Sequence, residues 1–392
     1  MKVLLVSSGS GSRGGGEMFL DYLAKGLVAR GHEVWMWIPN HPRMDELAAK
    51  CGGVVRIVRA DYRNTYDYAA RSLSTCFNWG VSERVAREWQ AIGPDVIHIN
   101  KQNLEDGLDL LRAAQLSGCP SICTIHLTQT ARYLRARAAP LRDWIARWQL
   151  SKYEGIFVAV QEHRRSMLDA FLANQGRTQT IFNGVPSIDN GVSLSQRELK
   201  RGQLGLEAQN FLVLGVGRLV EQKRPFLFLR IAKELHSRFP QMRFLWVGDG
   251  KLAKEWEKVI VRERLEKVVS CAGWQADVLP FLAASDLLLH VAEFEGLPFV
   301  VLEAMAAQLA CAVTSDLSGE VPQFNSGNVL FADDVKSLAT MLENPSILRR
   351  IAEKGRCLVE DTFSVRKMAE SYEQLYRKVR KERALSQHVE SI

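Results

Sequence analysis

Two carboxylates, Glu295 and Glu303, flank the stretch of this sequence that is best suited to chemistry. The apolar residues 286–292 before them predict a buried strand, and Pro298 predicts the start of a helix. The free backbone N–H groups around Gly296, at that helix start, favour an anionic group such as a phosphate. A carboxylate only accepts hydrogen bonds and can therefore bind both hydroxyls of a vicinal diol. A helix with two solvated carboxylates could show this spacing by chance, but the pattern favours a site for a nucleotide that carries a sugar.

The composition is that of an ordinary globular protein with a basic bias. The 392 residues are 47% apolar and 24% charged, which favours two domains with full cores. The net charge of +7 permits anionic partners without selecting one, and no pattern predicts nucleic-acid binding. Seven cysteines without a C-x-x-C pair predict reduced thiols in a cytoplasmic protein. The chain start does not resemble a signal peptide, and no apolar run is long enough to predict a membrane-spanning helix.

Short apolar runs alternate with amphipathic segments along the chain. This alternation predicts α/β architecture with parallel sheets. The pattern stops after residue 186 and begins again at Phe211. Residues 187–210 are polar, rich in Gly and Ser, and end in a weak basic helix, so they are the best candidate for a linker between two domains.

The glycine-rich loop after the first strand has two interpretations. Residues 9–14 formally match G-x-G-x-x-G, but a dinucleotide site also needs an acid at the end of the next strand, and residues 39–41 contain none. The better interpretation uses Gly15 and Gly16, which precede Glu17 at the start of a helix. Glycines there would let the backbone approach a ligand closely, although a flexible turn explains them equally well.

Several stretches resemble one family of enzymes, and they occur in that family's order. E-G-L-P-F-V-V-L-E-A-M at residues 295–305 resembles the E-x7-E motif of the retaining glycosyltransferases of family 4. Further matches are G-G-x-E at residues 14–17, His126 at a strand end, N-G-V at residues 183–185 and G-R-L-x-x-x-K at residues 217–223. The resemblance implies the GT-B fold, an α/β fold in which two Rossmann-like parallel-sheet domains face each other across a cleft.

The resemblance also implies a division of the chain. Residues 1–186 would form the N-terminal acceptor-side domain, and residues 187–364 the C-terminal nucleotide-sugar (donor) domain. Residues 365–392 would form a helix that crosses back to the N-terminal domain.

The family's residue roles transfer to the matching positions. Glu303 would bind the donor ribose, and Glu295 would lie against the transferred sugar. Two fixed cations would clamp the donor diphosphate and stabilise its charge as it departs. The predicted catalytic residues are therefore His126 and Glu295. The predicted donor-binding residues are Gly15, Gly16, Arg218, Lys223, Gly296, Leu297 and Glu303. No metal site and no cofactor besides the nucleotide-sugar substrate are predicted.

Together these features predict transfer of a hexosyl or N-acetylhexosaminyl group from a nucleotide sugar, most simply a UDP-sugar, to a glycan, glycolipid or small molecule. Retention of configuration is implied by the resemblance alone. No D-x-D triplet occurs, which removes the usual metal anchor of the other main glycosyltransferase fold.

Two positions depart from the family pattern: Arg224 stands where Gly is usual, and Leu127 where many members carry Asp. The second departure leaves the acceptor-side chemistry open. The alternatives are a sugar-nucleotide epimerase on the same fold and a non-catalytic nucleotide-sugar binding protein.

A basic and aromatic segment at residues 132–152 also has two interpretations. It contains six basic residues and one acid, together with Leu141, Trp144, Ile145 and Trp148. The favoured interpretation is an amphipathic helix whose apolar side packs on the sheet. The other is a surface that contacts anionic lipid at the inner membrane face.

Overall fold

The computed structural model describes residues 1–9, 14–64, 67–68, 71–76, 79–174, 176–188 and 194–390. Its strands are β1 Lys2–Ser7, β2 Glu33–Pro39, β3 Arg56–Ala60, β4 Val96–Lys101, β5 Ser121–Ile125, β6 Ile156–Ala159, β7 Thr178–Thr180, β8 Phe211–Val216, β9 Met242–Val247, β10 Val269–Cys271, β11 Leu287–His290, β12 Cys311–Val313 and β13 Leu330–Phe331.

The helices alternate with these strands. They are α1 Gly15–Ala29, α2 Asp45–Cys51, α3 Trp79–Ile92, α4 Leu108–Ser117, α5 Ala139–Ser151, α6 Glu162–Phe171, α7 Leu194–Gln203, α8 Pro225–Arg238, α9 Ala253–Arg262, α10 Leu279–Ala284, α11 Phe299–Ala306, α12 Ser315–Glu320, α13 Val335–Leu342, α14 Pro345–Thr362 and α15 Val365–Glu390. Short 3-10 helices are Pro42–Met44, Arg71–Cys76 and Glu221–Lys223.

The first of two compact units comprises Met1–Gly184 and Val365–Ile392. It contains one sheet of seven strands in the order β3-β2-β1-β4-β5-β6-β7, and all pairs are parallel. Strand β1 is an inner strand next to the central strand β4, with Val3 opposite Val34 of β2 on one side and Val96 of β4 on the other. The central strands are buried along their length and largely apolar, because helices cover both faces of a parallel sheet.

Helix α15, the last helix of the chain, packs on this first sheet. The Tyr376 hydroxyl lies 2.7 Å from Nδ1 of His98 in β4, and the Tyr372 hydroxyl lies 2.9 Å from Oγ1 of Thr124 in β5. Gly26 of α1 allows close approach, since a Cβ at that position would lie 2.8 Å from side-chain atoms of α15. These buried contacts make the terminal helix an integral part of the first unit.

The second unit, Val185–Ser364, contains a parallel sheet of six strands in the order β10-β9-β8-β11-β12-β13. This order is the one seen in the first six strands of the other sheet, and it is the Rossmann order. The predicted α/β class with two Rossmann-like parallel sheets is therefore confirmed. Among the described helices, none is both long and apolar enough to cross a bilayer.

The weak basic helix predicted at the end of the linker candidate is present as α7, Leu194–Gln203, and it packs on α10, so this part of the segment belongs to the second unit. Arg197 donates hydrogen bonds to the carbonyls of Ala283 and Ser285, at the end of α10, at 2.9 and 2.7 Å. Arg201 donates to the Ala284 carbonyl at 3.0 Å. Cations at these unpaired carbonyls stabilise the end of α10 and hold α7 in place. Residues 189–193 lie outside the described residues, as do residues 10–13 of the G-x-G-x-x-G match.

The favoured interpretation of the basic segment is wrong for its tryptophans. Ile145 and Leu150 of α5 are buried as predicted, but Trp144 is 62% exposed and Trp148 is 39% exposed. Leu141 shares the exposed face. The helix therefore has two apolar faces, and one of them joins the hydrophobic core of the first unit, next to α4 and the 3-10 helix Arg71–Cys76.

Candidate functional site

In the second sheet, glycines shape the turns that follow β8 and β9. Gly217 has a φ of +152°, and a Cβ there would lie 3.2 Å from the aliphatic stem of Lys223. A Cβ on Gly248 would overlap the carbonyl of Gly217. The two turns therefore pack back to back, and Lys223 crosses directly over the backbone of Gly217.

The turn after β11 is tied to the 3-10 helix Glu221–Lys223. The backbone carbonyl of Gln222 accepts a hydrogen bond from the Glu293 N–H at 2.8 Å. The side-chain amide of Gln222 donates a hydrogen bond to the Phe294 carbonyl at 3.0 Å. Next to these contacts, Nζ of Lys223 forms an ion pair with Oε1 of Glu295. The structure thus joins two of the predicted site residues, which lie 72 positions apart in the sequence.

Glu295 is buried, and its charge is stabilised by its neighbours. Burial by itself would raise the pKa of this carboxyl, but Lys223 and His290 outweigh burial and lower the pKa to about 2. Nε2 of His290 lies 3.3 Å from Oε1 of Glu295, in an orientation that leaves this nitrogen without a hydrogen-bond partner. Burial lowers the pKa of His290, an effect that Glu295 opposes and Lys223 reinforces. At neutral pH the cluster therefore contains a cation, a carboxylate and a neutral imidazole.

Helix α11 follows this cluster. It begins at Phe299, and Pro298 is its N-cap residue rather than its first helical residue. Leu297 is buried in the turn before it, with 3% exposure, and Gly296 is buried beside Leu297. Glu303 is partly buried in the middle of the helix. The predicted strand, turn and helix around the two carboxylates are therefore present.

The two basic residues after β8 differ in their surroundings. Arg218 is exposed, and the structure records no hydrogen bond or ion pair to its guanidinium from any residue that it describes. Arg224 has a φ of +46° and a ψ of 52°, a left-handed conformation that favours glycine. This backbone conformation explains why the family pattern has Gly at that position. The Arg224 guanidinium lies 3.1 Å from Asp316.

In the first sheet, one asparagine connects the glycine-rich loop to the predicted histidine. Nδ2 of Asn100 donates to the Gly16 carbonyl at 3.1 Å, and Oδ1 of Asn100 lies 2.7 Å from Nε2 of His126. Because the side-chain nitrogen of Asn100 donates to Gly16, the side-chain oxygen of Asn100 accepts a hydrogen bond from His126. Nε2 of His126 must therefore carry the proton. Nδ1 of His126 is then the acceptor nitrogen. Burial lowers the pKa of His126 to about 4, so the ring is neutral at physiological pH.

The two predicted glycines of the loop differ. Gly15 is exposed in the first turn of α1, whereas Gly16 is buried. The space beside Gly16 is filled by the side-chain amide of Gln102, since a Cβ on Gly16 would overlap it. Nε2 of Gln102 is buried and has no hydrogen-bond partner.

Three polar residues of these sites were missed by sequence reasoning: Asn100, Gln102 and His290. Asn100 and His290 belong to the carboxyl ends of β4 and β11. Ligands of open α/β sheets bind at the carboxyl ends of strands. A search for polar residues at the end of each apolar run could therefore have found Asn100 and His290. No pattern in the sequence points to Gln102, because only its contact with Gly16 in the folded protein places it at the site.

Two sheets of Rossmann order, each with polar side chains at the carboxyl ends of its strands, define the architecture of GT-B glycosyltransferases. Two family models match this chain: "Glycosyltransferase Family 4" over residues 13–187 and "Glycosyl transferases group 1" over residues 210–344. The chain belongs to the family 4 glycosyltransferases with the GT-B fold.

Relatives and solved structures agree with this assignment. The chain is 24% identical to UDP-Gal:alpha-D-GlcNAc-diphosphoundecaprenol alpha-1,3-galactosyltransferase of Escherichia coli, over 72% of this chain and 75% of the relative. It is 23% identical to alpha-monoglucosyldiacylglycerol synthase of Acholeplasma laidlawii, over 90% and 91%. The solved structure of HepE from Anabaena, in complex with UDP-glucose, has a TM-score of 0.75 at 20% identity and covers 97% of this chain and 99% of that chain. Sucrose-phosphate synthase from Thermosynechococcus elongatus has a TM-score of 0.76 at 18% identity, with the same coverage. These structural similarities show the fold.

Proposed function

We propose that this protein transfers a hexosyl or N-acetylhexosaminyl group from a UDP-sugar to a lipid-linked or polymeric glycan acceptor, with retention of configuration. The observation that carries the proposal is the buried ion pair of Lys223 and Glu295, in the turn that leads into α11. Lys223 supplies a fixed cation for the donor diphosphate, and Glu295 supplies a carboxylate for hydroxyls of the sugar.

Further residues complete the proposed donor site. Glu303 accepts hydrogen bonds from the ribose, and the backbone N–H groups near Gly296 and Leu297 face the phosphates at the start of α11. Arg218, which is exposed, adds a second cation for the departing diphosphate. These groups take the place of a metal ion, and the reaction needs no cofactor. His126 offers Nδ1 to the sugar as an acceptor of hydrogen bonds.

Two similar proteins support UDP as the nucleotide. HepE is described in complex with UDP-glucose, and the Escherichia coli relative is named for UDP-Gal. Neither protein decides which sugar this chain transfers.

A donor panel tests the proposal. UDP-, GDP- and ADP-sugars are incubated with the protein, first alone and then with lipid-linked glycans, and products are followed by NMR. We expect slow release of sugar and nucleotide from one UDP-sugar alone, and a glycoside of retained configuration when an acceptor is present. The activity should persist in EDTA. An epimerised donor, or activity that EDTA abolishes and Mg²⁺ restores, would contradict the proposal.

The acceptor side of the proposal depends on helix α5 and the loop before it. Two of the similar proteins carry a lipid in their names, diphosphoundecaprenol in one and diacylglycerol in the other. In this chain the rings of Trp144 and Trp148 are stacked on the exposed face of α5, with centroids 6.3 Å apart. Nζ of Lys152 lies 3.4 Å from the centre of the Trp148 ring. Aromatic rings beside cations are typical of protein surfaces that bind at membrane interfaces.

We therefore propose that this cytoplasmic enzyme visits the inner membrane face through an α5 surface. This surface consists of Arg132, Tyr133, Leu134, Arg135, Arg137, Leu141, Trp144, Arg147, Trp148 and Lys152, all exposed. Arg142 does not belong to it, because its guanidinium is paired with Glu105 at 2.6 and 2.8 Å and is mostly buried. Each cation near an anionic surface would contribute about 1 kcal/mol to membrane binding.

Liposome co-sedimentation tests the α5 surface. Binding to anionic vesicles should exceed binding to neutral ones, and it should fall when salt rises or when Arg132, Arg135 and Arg137 are changed to Glu. Changing Trp144 and Trp148 to Ala should weaken it, whereas changing Trp79, which is 57% exposed elsewhere in the same unit, should not. Equal, negligible binding to both vesicle types would refute membrane contact.

A further inference from the structure

His290 is placed unusually for a histidine with no assigned role. Its side chain is 2% exposed, yet Nε2 has no hydrogen-bond partner and lies 3.3 Å from the Glu295 carboxylate. The charged groups that face it are Glu295, from the turn after β11, and Lys223, from the 3-10 helix before α8. Glu320 of α12 lies next to them, since its carboxylate is 3.4 Å from the Glu295 N–H. The imidazole thus faces one carboxylate and one cation, with a second carboxylate beside the backbone of Glu295.

The charge balance of this cluster depends on Lys223. In the structure Lys223 neutralises Glu295, and burial favours the neutral form of His290. A diphosphate that binds to Lys223 would add negative charge within the same buried region. It would also share the cation that now balances Glu295. Both changes favour a positive charge on the nearest group that can accept a proton, and in this cluster that group is His290.

We propose that His290 takes up a proton when the diphosphate of a sugar nucleotide binds at Lys223, so that donor binding to this protein is coupled to proton uptake. The inference rests on the proposed function, because it requires the donor diphosphate to bind at Lys223. His290 is then a positioning residue: once protonated, it donates Nε2–H to Glu295 and keeps that carboxylate in place when Lys223 turns to the phosphates.

The sign of the pH effect follows from this coupling. The pKa of His290 lies below the ordinary value of 6.5 in the free protein, and the proposal requires a higher pKa in the complex. Protons are therefore taken up at pH values between the two pKa values, and donor affinity falls over that range as pH rises. If one proton is taken up, the dissociation constant rises by at most about tenfold per pH unit.

Calorimetry with UDP-glucose measures the uptake directly. Binding enthalpies are recorded in buffers of different ionisation enthalpy, at about pH 6.5 and about pH 8.5, and their slope gives the number of protons bound. UDP-glucose is preferred to UDP, whose terminal phosphate titrates in the same range. We expect uptake of a substantial fraction of a proton at the lower pH and little at the higher one.

The controls use matched histidine substitutions. His290→Gln should bind UDP-glucose without proton uptake. His236→Gln should behave as the wild type, because His236 lies in α8 beside the Met242 carbonyl, at the amino end of β9. If His290→Gln does not fold, NMR of labelled imidazoles in the wild-type protein provides the second measurement, and it should show one buried histidine becoming charged when UDP-glucose is added.

The outcomes separate this inference from the proposed function. Binding of UDP-glucose without proton uptake, or equal uptake by wild type and His290→Gln, would overturn the inference and leave the proposed function intact. The absence of binding by any UDP-sugar would overturn both.

Discussion

The two sheets have the same strand order, yet the polar residues at their carboxyl ends differ in charge. In the first sheet, Asn100 and His126 belong to a chain of hydrogen bonds between neutral groups. In the second sheet, Lys223 and Glu295 form a buried ion pair. A neutral network depends on geometry, because each donor must meet its acceptor. The stability of a charged cluster depends on the balance of its positive and negative charges, because removal of one partner leaves an uncompensated buried charge.

Two of the buried histidines, one at each sheet, illustrate this difference. His126 is neutral, and Asn100 fixes which of its nitrogens carries the proton. His290 faces charged groups, so its protonation responds to what binds beside it. One fold can therefore hold a fixed hydrogen-bond acceptor at one sheet and a responsive group at the other.

The largest effect should come from breaking the charge balance of the second site. Lys223→Met should destabilise the protein by about 3–5 kcal/mol, since Glu295 would remain buried without its cation. It should also lower UDP-sugar affinity by roughly a hundredfold, about 3 kcal/mol. Thermal unfolding and calorimetry measure the two effects. The double variant Lys223→Met with Glu295→Gln is the control and should regain most of the stability without regaining affinity. A single variant as stable as wild type would refute the balance argument.

The second prediction separates the two carboxylates of the donor site. Glu303→Ala should weaken binding of both UDP and the UDP-sugar, because the ribose is common to them. Glu295→Ala should weaken binding of the UDP-sugar alone. Each loss should be roughly tenfold to a hundredfold, since a hydrogen bond to a charged acceptor contributes about 1.5–3 kcal/mol. Calorimetry with UDP and with the UDP-sugar measures these losses of affinity. If both variants lost the same affinity for both ligands, the assignment of the two carboxylates would be wrong.

A smaller effect is expected from breaking the neutral network of the first site. Asn100→Ala leaves Nε2–H of His126 buried without an acceptor, which should lower activity roughly tenfold. Asn100 acts through His126, so the same substitution should have no further effect in a His126→Ala background. Initial rates of transfer measure both. Asn103→Ala, three residues further along the chain, is the matched control, and additive losses in the double variant would argue for an independent role of Asn100.

The smallest effect concerns the departure from the family pattern at Arg224. Arg224→Gly should change the free energy of unfolding by less than about 1 kcal/mol. Relief of the left-handed backbone is offset by the greater freedom of an unfolded Gly and by loss of the largely exposed pair with Asp316. Arg224→Ala loses the pair and keeps the strained backbone, so it should be less stable than the Gly variant. Chemical denaturation would reveal the reverse order if the backbone argument were wrong.

Local patterns in the sequence were sufficient to predict the secondary-structure elements and the strand, turn and helix that carry the proposed donor site. Apolar runs alternating with amphipathic segments predicted the parallel sheets, because a strand covered on both faces is apolar throughout. Gly296 and Pro298, between Glu295 and Glu303, predicted a turn and a helix start, and both are present. The strand-to-helix position of Lys223 in the sequence likewise agrees with its place after β8.

Contacts between distant segments were decided by the tertiary structure alone. Gly16 and His126 are joined through Asn100, which is 84 residues from one and 26 from the other, because the strand order brings β4 between β1 and β5. A helical period shows that α5 has apolar sides, but it does not show which side the sheet covers, and so Trp144 was predicted to be packed. Periodicity is a property of neighbouring residues, whereas burial and pairing depend on which surfaces the whole chain brings together.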